Sequence, residues 1–183
     1  MTYYGGQQLA NSFRTVRQNT LKIAEEIPEE QYSFQAAPGT KPIGQLLAHI
    51  ALGHKFQHHA HTTKLTTLEG FNFGAFLQPI GAEELQPRSK SDIIDLLNRE
   101  GNAFAAWLEG LSEEFLREEV QMPSGAVPAS KTRFEMLLSP KEHEMHHRGQ
   151  LMLMQRMIGM TPHLTRQMQE RMAARATAAA AGR

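Results

Sequence analysis

The chain of 183 residues contains no cysteine. This absence excludes a disulfide framework and any metal site built on thiolates, so a metal would have to be held by nitrogen and oxygen ligands. A reactive sulfur would have to arrive with a bound ligand. Excess charge is also absent, because 19 basic residues balance 19 acidic ones. A neutral chain offers no broad positive field to a phosphate backbone, so we expect no nucleic acid partner.

Long apolar runs are missing as well. No stretch approaches the roughly 20 apolar residues of a membrane-spanning helix. The first residues, MTYYGGQQLANSF, do not combine a cationic start with an apolar run. These features predict a cytoplasmic, soluble protein without a membrane partner. The length suits one compact domain and is short for two.

Helical periodicity dominates the hydrophobic pattern, which predicts four main helices. The first spans about residues 7–27 and the second about residues 42–61. The third begins with Ser91 as its candidate N-cap. The fourth spans about residues 131–157, and Pro140 is expected to kink or divide it because proline removes a backbone donor and crowds the preceding turn.

The remaining segments define the predicted fold class. Residues 62–88 are irregular and rich in glycine and proline; loops of this length are often lids or carry a short extra helix, and no firm structure is assigned. No segment alternates convincingly with period two. We therefore predict an all-α, up-down four-helix bundle with a long connection between helices two and three. The domain is predicted over residues 1–162, with a C-terminal extension over residues 163–183 that is helical or partly disordered.

Histidines are concentrated in the fourth predicted helix, in the sequence HEMHHRGQ at residues 143–150. His143 and His147 lie one turn apart on one face, so both imidazoles can point into the same space. Glu144 and Arg148 are predicted to turn away from this inward face. Two inward histidines one turn apart are a usual way for a helix to supply half of a metal site. Such pairs also occur on solvated faces.

A further ligand is available in the second predicted helix. His49 recurs with apolar residues at helical spacing, which places it on the core-facing stripe. A lone histidine there is more often a hydrogen-bonded core residue than a ligand. Gly53, one turn further on, is expected to leave open space beside a metal. His54, His58 and His61 fall on nearly the opposite face and are interpreted as solvated.

The two histidine-bearing segments resemble the DinB/YfiT-like superfamily of four-helix-bundle metalloproteins. IGQLLAHIALGHKF in the second predicted helix and HEMHHRGQLMLMQRMIGMTP in the fourth carry the resemblance. It implies that His49, His143 and His147 are the ligands of a divalent metal, zinc or nickel, with one position open for water or substrate. Pro140 and the tail after residue 162 depart from the family pattern.

The resemblance covers roughly residues 7–162 and also implies a reaction class. Members are thought to include thiol transferases, which use a low-molecular-weight thiol, and metal-dependent hydrolases. We therefore expect a metal-dependent enzyme that activates water or such a thiol for a small-molecule substrate. The sequence does not reveal the catalytic residues; Gln150, Gln45, Tyr32 and Arg148 are candidates for orienting a substrate. The resemblance and the apolar residues on the outer helices lead us to expect a homodimer.

Two other functions stay open. HEMHH also satisfies the zincin pattern H-E-x-x-H, in which Glu144 would activate water for peptide hydrolysis. The third zinc ligand would then be His163 or Glu170, and the sheet that normally accompanies such a helix is not predicted. The chain is alternatively a non-catalytic helical bundle that binds or scaffolds a partner and retains a vestigial metal site.

Overall fold

Helices make up most of the chain. The computed structural model describes residues 4–181, so the outermost ends of the predicted domain and of the predicted extension, residues 1–3 and 182–183, lie outside the described residues. In chain order the elements are α1 (Gly6–Glu26), a 3-10 turn (Glu29–Gln31), α2 (Ile43–Leu52), α3 (Lys55–Thr62), α4 (Phe73–Glu84), α5 (Lys90–Glu109), α6 (Glu113–Arg117), β1 (Glu119–Gln121), β2 (Ser130–Thr132), α7 (Arg133–Met157) and α8 (His163–Ala181).

The long helices α1, α5 and α7 form a bundle with α2. Both α1 and α2 pack against α5 and α7, so α1 and α2 lie diagonally across the bundle although they follow one another in the chain. The connection between α2 and α5 carries α3 and α4. The predicted all-α class and four-helix bundle are confirmed.

Apolar stripes at helical spacing hold the bundle together. The larger cluster of fully buried side chains joins all four helices and contains Ile23, Ile27, Ile43, Leu47, Ile50, Leu97 and Leu151. Each such side chain stabilises the fold by about 1.5–3 kcal/mol relative to exposure. A second cluster lies toward the other end of α1, where the rings of Phe13 and Phe104 meet edge to face with centroids 5.1 Å apart.

Two of the predicted helices differ from the observed ones in their interiors. The predicted second helix is divided into α2 and α3 by a turn at Gly53 and His54, because glycine weakens the interior of a helix. The fourth predicted helix, α7, runs undivided through Pro140. Proline removes a single backbone hydrogen bond, and the remaining bonds and the burial of Pro140 hold the helix together.

The N-cap of α5 is Ser89 and not the predicted Ser91. The Oγ of Ser89 accepts a hydrogen bond from the Asp92 N–H at 3.2 Å, and the Asp92 carboxylate accepts one from the Ser89 N–H at 3.0 Å. This reciprocal capping box satisfies two backbone donors that a helix start leaves unpaired. Ser91 therefore lies inside the first turn.

Residues 62–88 contain a helix that the periodicity did not indicate. Asn72 caps α4, since its side chain accepts a hydrogen bond from the Ala75 N–H at 2.9 Å. Pro79 and Gly81 lie within this helix. Both residue types are poor helix formers, which is why the sequence pattern concealed it.

A short antiparallel hairpin interrupts the helices, although the sequence predicted no strand. Glu119 of β1 pairs with Thr132 of β2, and Gln121 pairs with Ser130. Each strand has three residues, too few for an alternating pattern to be recognised. The hairpin leads directly into α7 and does not alter the helical class.

The C-terminal helix α8 begins against the bundle and then leaves it. His163 is buried, and its Nε2 lies 3.1 Å from Oδ1 of Asn19 on α1. Arg166 forms an ion pair with Glu26 at 2.5 Å. Residues 167–180 are exposed. In the part of the chain that the structure describes, no helix has both the length and the apolar composition needed to cross a membrane.

Candidate metal centre

Three histidine rings from α2 and α7 meet at one point. The Nε2 atom of His49 lies 3.0 Å from Nε2 of His143 and 3.2 Å from Nε2 of His147. The Nε2 atoms of His143 and His147 are also 3.2 Å apart. All three side chains are half-buried. The packing of α2 on α7 thus brings together the three residues that the family resemblance indicated.

Hydrogen bonds orient two of these rings so that their lone pairs converge. The Nδ1 atom of His49 lies 2.8 Å from a carboxylate oxygen of Glu84. An ionised carboxylate only accepts, so Nδ1 donates and Nε2 carries the lone pair. The Nδ1 of His147 donates in the same way to Oε1 of Gln150 at 2.8 Å. Two lone pairs that face each other repel unless a cation lies between them.

The spacing of the three nitrogens fits a divalent metal ion. An ion held about 2.0–2.1 Å from each imidazole nitrogen, with angles between about 90° and 110°, separates those nitrogens by about 2.8–3.4 Å. The observed separations of 3.0 and 3.2 Å fall within this interval. Zinc, nickel and other late first-row ions accept imidazole ligands of this kind.

The rings of His143 and His147 are in the protonation state that metal binding requires. Burial, with a smaller effect from the neighbouring His147 and His49, lowers the pKa of His143 to about 4. Burial also lowers the pKa of His147, against the opposite effect of the hydrogen bond to Gln150. Both imidazoles are therefore neutral at pH 7, with nitrogen lone pairs available to an ion.

Glu84, at the end of α4, is the site residue that the sequence did not indicate. One of its oxygens accepts the hydrogen bond from His49; the other accepts from Lys41 and, at 3.1 Å, from Nε2 of Gln45. Burial alone would raise the pKa of Glu84, but the hydrogen bonds from Lys41 and His49 outweigh it and hold the pKa below its ordinary value. An ionised carboxylate behind a histidine fixes the ring and makes the other nitrogen a stronger ligand.

Gly53 brings a ring close to the site and does not provide the predicted open space. A Cβ atom at this position would lie 2.6 Å from both Cε1 and Nδ1 of His143. Real Cβ atoms do not approach other atoms so closely. The missing side chain therefore makes room for the His143 ring itself.

Glu144 is buried, which contradicts the prediction that it turns away from the bundle. Its side chain is 1% exposed, and its carboxylate accepts hydrogen bonds from Nε of Arg17 at 3.0 and 3.1 Å. Both α1 and α2 pack against α7. The buried part of the α7 surface is therefore wider than a single apolar stripe, and it includes Glu144. The zincin mechanism needs this carboxylate free to contact water at the histidines, whereas here Arg17 engages it.

The other residues of the zincin alternative do not join the cluster. Among the described residues, the group of side chains close enough to hold an ion consists of His49, His143 and His147. His163 contacts Asn19. The geometry therefore does not support the zincin interpretation.

Three of the four residues considered for orienting a substrate have structural partners. Gln150 and Gln45 hold His147 and Glu84 through hydrogen bonds. The hydroxyl of Tyr32 donates to the backbone oxygen of Ala24 at 2.7 Å. Arg148, the fourth candidate, is half-buried, and burial lowers its pKa.

The histidines interpreted as a solvated face are largely covered. His54 is 6% exposed and His61 is 1% exposed, while His58 is half-buried. The ring of Phe104 on α5 packs on His54 with centroids 4.7 Å apart. Arg133 on α7 donates to Nδ1 of His61 at 3.1 Å. The neighbouring helices α5 and α7 therefore bury the face that carries these histidines. The periodicity of a single helix does not show whether a polar face is covered by other helices or exposed to solvent.

Two cavities border the three histidines, each of about 360 Å³. One is in contact with His147 and is called the loop-side cavity, because Ala36 and Thr40 of the loop before α2 line it. The other is in contact with His49 and His143 and is called the α4-side cavity. The cluster thus has room for small molecules on two sides.

The fold and the cluster together define a helical-bundle protein with a three-histidine centre. Residues 12–151 match the family model of the DinB superfamily, and the chain belongs to that superfamily. The uncharacterized protein YjoA of Bacillus subtilis (strain 168) is 29% identical over 154 residues, which cover 84% of this chain and 91% of YjoA.

Solved structures share the fold. The crystal structure of YjoA from Bacillus subtilis has a TM-score of 0.62 at 24% identity and covers 84% of this chain and 94% of its own. A DinB-like protein from Bacillus cereus ATCC 10987 has a TM-score of 0.64 at 20% identity, with coverage of 85% and 93%. YfiT from Bacillus subtilis, described as a probable metal-dependent hydrolase with an unusual four-helix bundle topology, has a TM-score of 0.65 at 15% identity, with coverage of 88% and 91%.

Proposed function

We propose that this member of the DinB superfamily is a metal-dependent enzyme. His49, His143 and His147 hold one divalent ion, zinc or nickel. When bound there, such an ion would activate water or a low-molecular-weight thiol for reaction with a small-molecule substrate. The description of YfiT as a probable metal-dependent hydrolase agrees with the hydrolytic form of this proposal.

The observation that carries the proposal is the convergence of the three Nε2 atoms at separations of 3.0 and 3.2 Å. The hydrogen bonds from His49 to Glu84 and from His147 to Gln150 direct lone pairs toward one point. A structural histidine in a core would instead direct a ring nitrogen toward a donor or an acceptor. This arrangement is stable when a cation occupies the point at which the lone pairs meet.

The residues around the site orient the histidine ligands and place one negative charge behind them. A divalent ion held by three neutral imidazoles lowers the pKa of a water toward about 7 and favours thiolate over thiol. Glu84 fixes the ring of His49 and places one negative charge behind it, and Gln150 fixes the ring of His147. The two adjoining cavities give reactants access to the centre.

Metal analysis of tag-free protein tests the proposal. We expect one equivalent of zinc or nickel in the wild type and its loss in His49→Ala, His143→Ala and His147→Ala. His146→Ala is the matched control: this exposed histidine lies between the two α7 ligands and does not belong to the cluster. Protein without affinity for zinc, nickel or manganese, or metal that persists in the triple variant, would contradict the proposal and favour the scaffold alternative.

Two activity screens separate the two reaction types. In hydrolysis, the oxygen of water bonds to the acyl carbon and the leaving group departs with the electron pair and takes up a proton. In thiol transfer, the thiolate sulfur bonds to an electrophilic carbon and the leaving group departs with the electron pair. A panel of activated esters tests the first, and chlorodinitrobenzene with glutathione or another small thiol tests the second. Either activity should disappear in His49→Ala and persist in His146→Ala.

A further inference from the structure

The α4-side cavity has apolar walls beside two of the three histidines. His49 and His143 form its inner end, and the walls are Leu52, Phe56, Leu77 and Ile80. Leu77 is 48% exposed although it is a large apolar side chain. A volume of about 360 Å³ lies near the lower limit of small-molecule pockets, which is about 300 Å³.

Among the described residues that line this cavity, no charged group is free to bind a charged ligand. The one carboxylate that lines it is Glu84, and both of its oxygens already accept hydrogen bonds from His49, Lys41 and Gln45. A charged or strongly polar group placed against these walls would lose its hydration without a partner, which is costly. An apolar group would instead gain free energy from burial.

The loop-side cavity also has mainly apolar walls. They are formed by Ala36, Leu46, Leu153 and Met154, and the polar side chains of Thr40, Lys41 and Gln150 lie among them beside His147. This cavity is lined by one of the three histidines, whereas the α4-side cavity is lined by two. The α4-side cavity therefore has the larger contact with the cluster.

We propose that the α4-side cavity binds an uncharged apolar part of the substrate, an aryl ring or a branched alkyl group, while the reacting group lies at the three histidines. This inference rests on the proposed function and adds a substrate class to it. Gly81 offers a direct test, because it lines the cavity and a Cβ built on it meets no atom within 4 Å. Gly81→Leu adds an apolar side chain at the cavity wall, and leucine is a better helix former than glycine.

The experiment is a calorimetric titration of zinc-loaded protein with acetohydroxamate and with benzohydroxamate. Both probes carry the same metal-binding group, and the second adds a phenyl ring. We expect benzohydroxamate to bind the wild type about tenfold or more tightly than acetohydroxamate. Gly81→Leu should abolish this preference and leave acetohydroxamate affinity within about twofold. Ala36→Leu, which narrows the loop-side cavity, is the matched control and should keep the preference.

A second variant and a measurement of the zinc content of each sample distinguish a failure of this inference from a failure of the proposed function. Leu77→Asn makes the wall polar at a half-exposed position and should weaken benzohydroxamate alone, so the test does not depend on the folding of Gly81→Leu. Equal binding of the two probes, or loss of the preference in Ala36→Leu but not in Gly81→Leu, overturns this inference and leaves the metal centre intact. If the protein takes up no zinc, the titration is repeated with nickel; protein that binds neither zinc, nickel nor manganese overturns the proposed function and this inference with it.

Discussion

Arg17 of α1 and Glu144 of α7 form an ion pair inside the bundle, with side chains 5% and 1% exposed. The guanidinium also donates to the backbone oxygen of Ile50 at 3.3 Å. Ile50 follows His49 in the chain, and Glu144 follows His143. A single buried arginine therefore connects the two segments that carry the histidine cluster.

We expect Glu144→Gln to destabilise the fold by about 3 kcal/mol, because Arg17 would keep its charge in the interior without a counter-charge. Urea unfolding of the metal-free variant measures this cost. Glu142→Gln is the matched control on the other side of His143; Glu142 is exposed, so its change should stay within about 0.5 kcal/mol. A cost below about 1 kcal/mol for Glu144→Gln would contradict the role of the ion pair. Loss of a hydrolytic activity from folded Glu144→Gln that still holds its metal would revive the zincin interpretation.

The sequence predicted the bundle because the main helices carry long apolar stripes at helical spacing. Residues such as Phe13, Ile23 and Leu97 are buried where the pattern indicated. It did not predict α4, whose Pro79 and Gly81 oppose helix formation. That helix forms because Asn72 caps it and because it packs against α2. The packing of α4 on α2 joins residues far apart in the chain and leaves no local signal.

The cluster itself was predictable from spacing and family resemblance, whereas its supporting residues were not. His143 and His147 are one turn apart, a local relationship that any helix preserves. Glu84 reaches His49 through the tertiary position of α4, and no sequence spacing relates them. The burial of Glu144 was not predicted, because the periodicity of α7 alone does not show that both α1 and α2 pack against this helix.

Gly53→Ala should weaken metal binding more than it affects the fold. The added Cβ would lie 2.6 Å from the His143 ring, so the ring must swing away from the other two ligands. We expect zinc affinity to fall by about tenfold or more, as measured by competition with a chromogenic chelator. Gly149→Ala on α7 is the control, since a Cβ there meets no atom within 4 Å. Unchanged zinc affinity in Gly53→Ala would mean that the close approach of His143 is not needed.

Glu84→Gln tests the carboxylate behind His49. The amide keeps the size of the side chain but removes the negative charge that orients the ring, so we expect zinc affinity to fall by about 10–100-fold. Glu83→Gln is the adjacent control, because Glu83 pairs with Lys55 and not with a member of the cluster. Both variants should retain the helical circular dichroism spectrum of the wild type. Equal affinities in the two variants would count against Glu84 as a support of the site.

His61 gives the fold a dependence on pH that is separate from the metal centre. Burial and, to a smaller extent, the nearby Arg133 guanidinium together lower its pKa to about 4, whereas the unfolded chain keeps the ordinary value of 6.5. Between these two values the unfolded state binds a proton that the folded state does not. The free energy of unfolding therefore decreases as the pH falls from about 6.5 to about 4. This one group contributes about 1.4 kcal/mol for each pH unit in that window.

His61→Gln should make the free energy of unfolding less dependent on pH. Glutamine does not titrate, and its side-chain oxygen can still accept the hydrogen bond that Arg133 now donates to His61. Urea unfolding at several pH values between about 4.5 and 6.5 measures the slope of the free energy of unfolding against pH. Every sample contains a chelator, so that metal release adds no protons. We expect the slope of the variant to be smaller by about 1.4 kcal/mol per pH unit. Equal slopes of the free energy of unfolding against pH in wild type and variant would show that His61 has the same pKa in the folded and unfolded states.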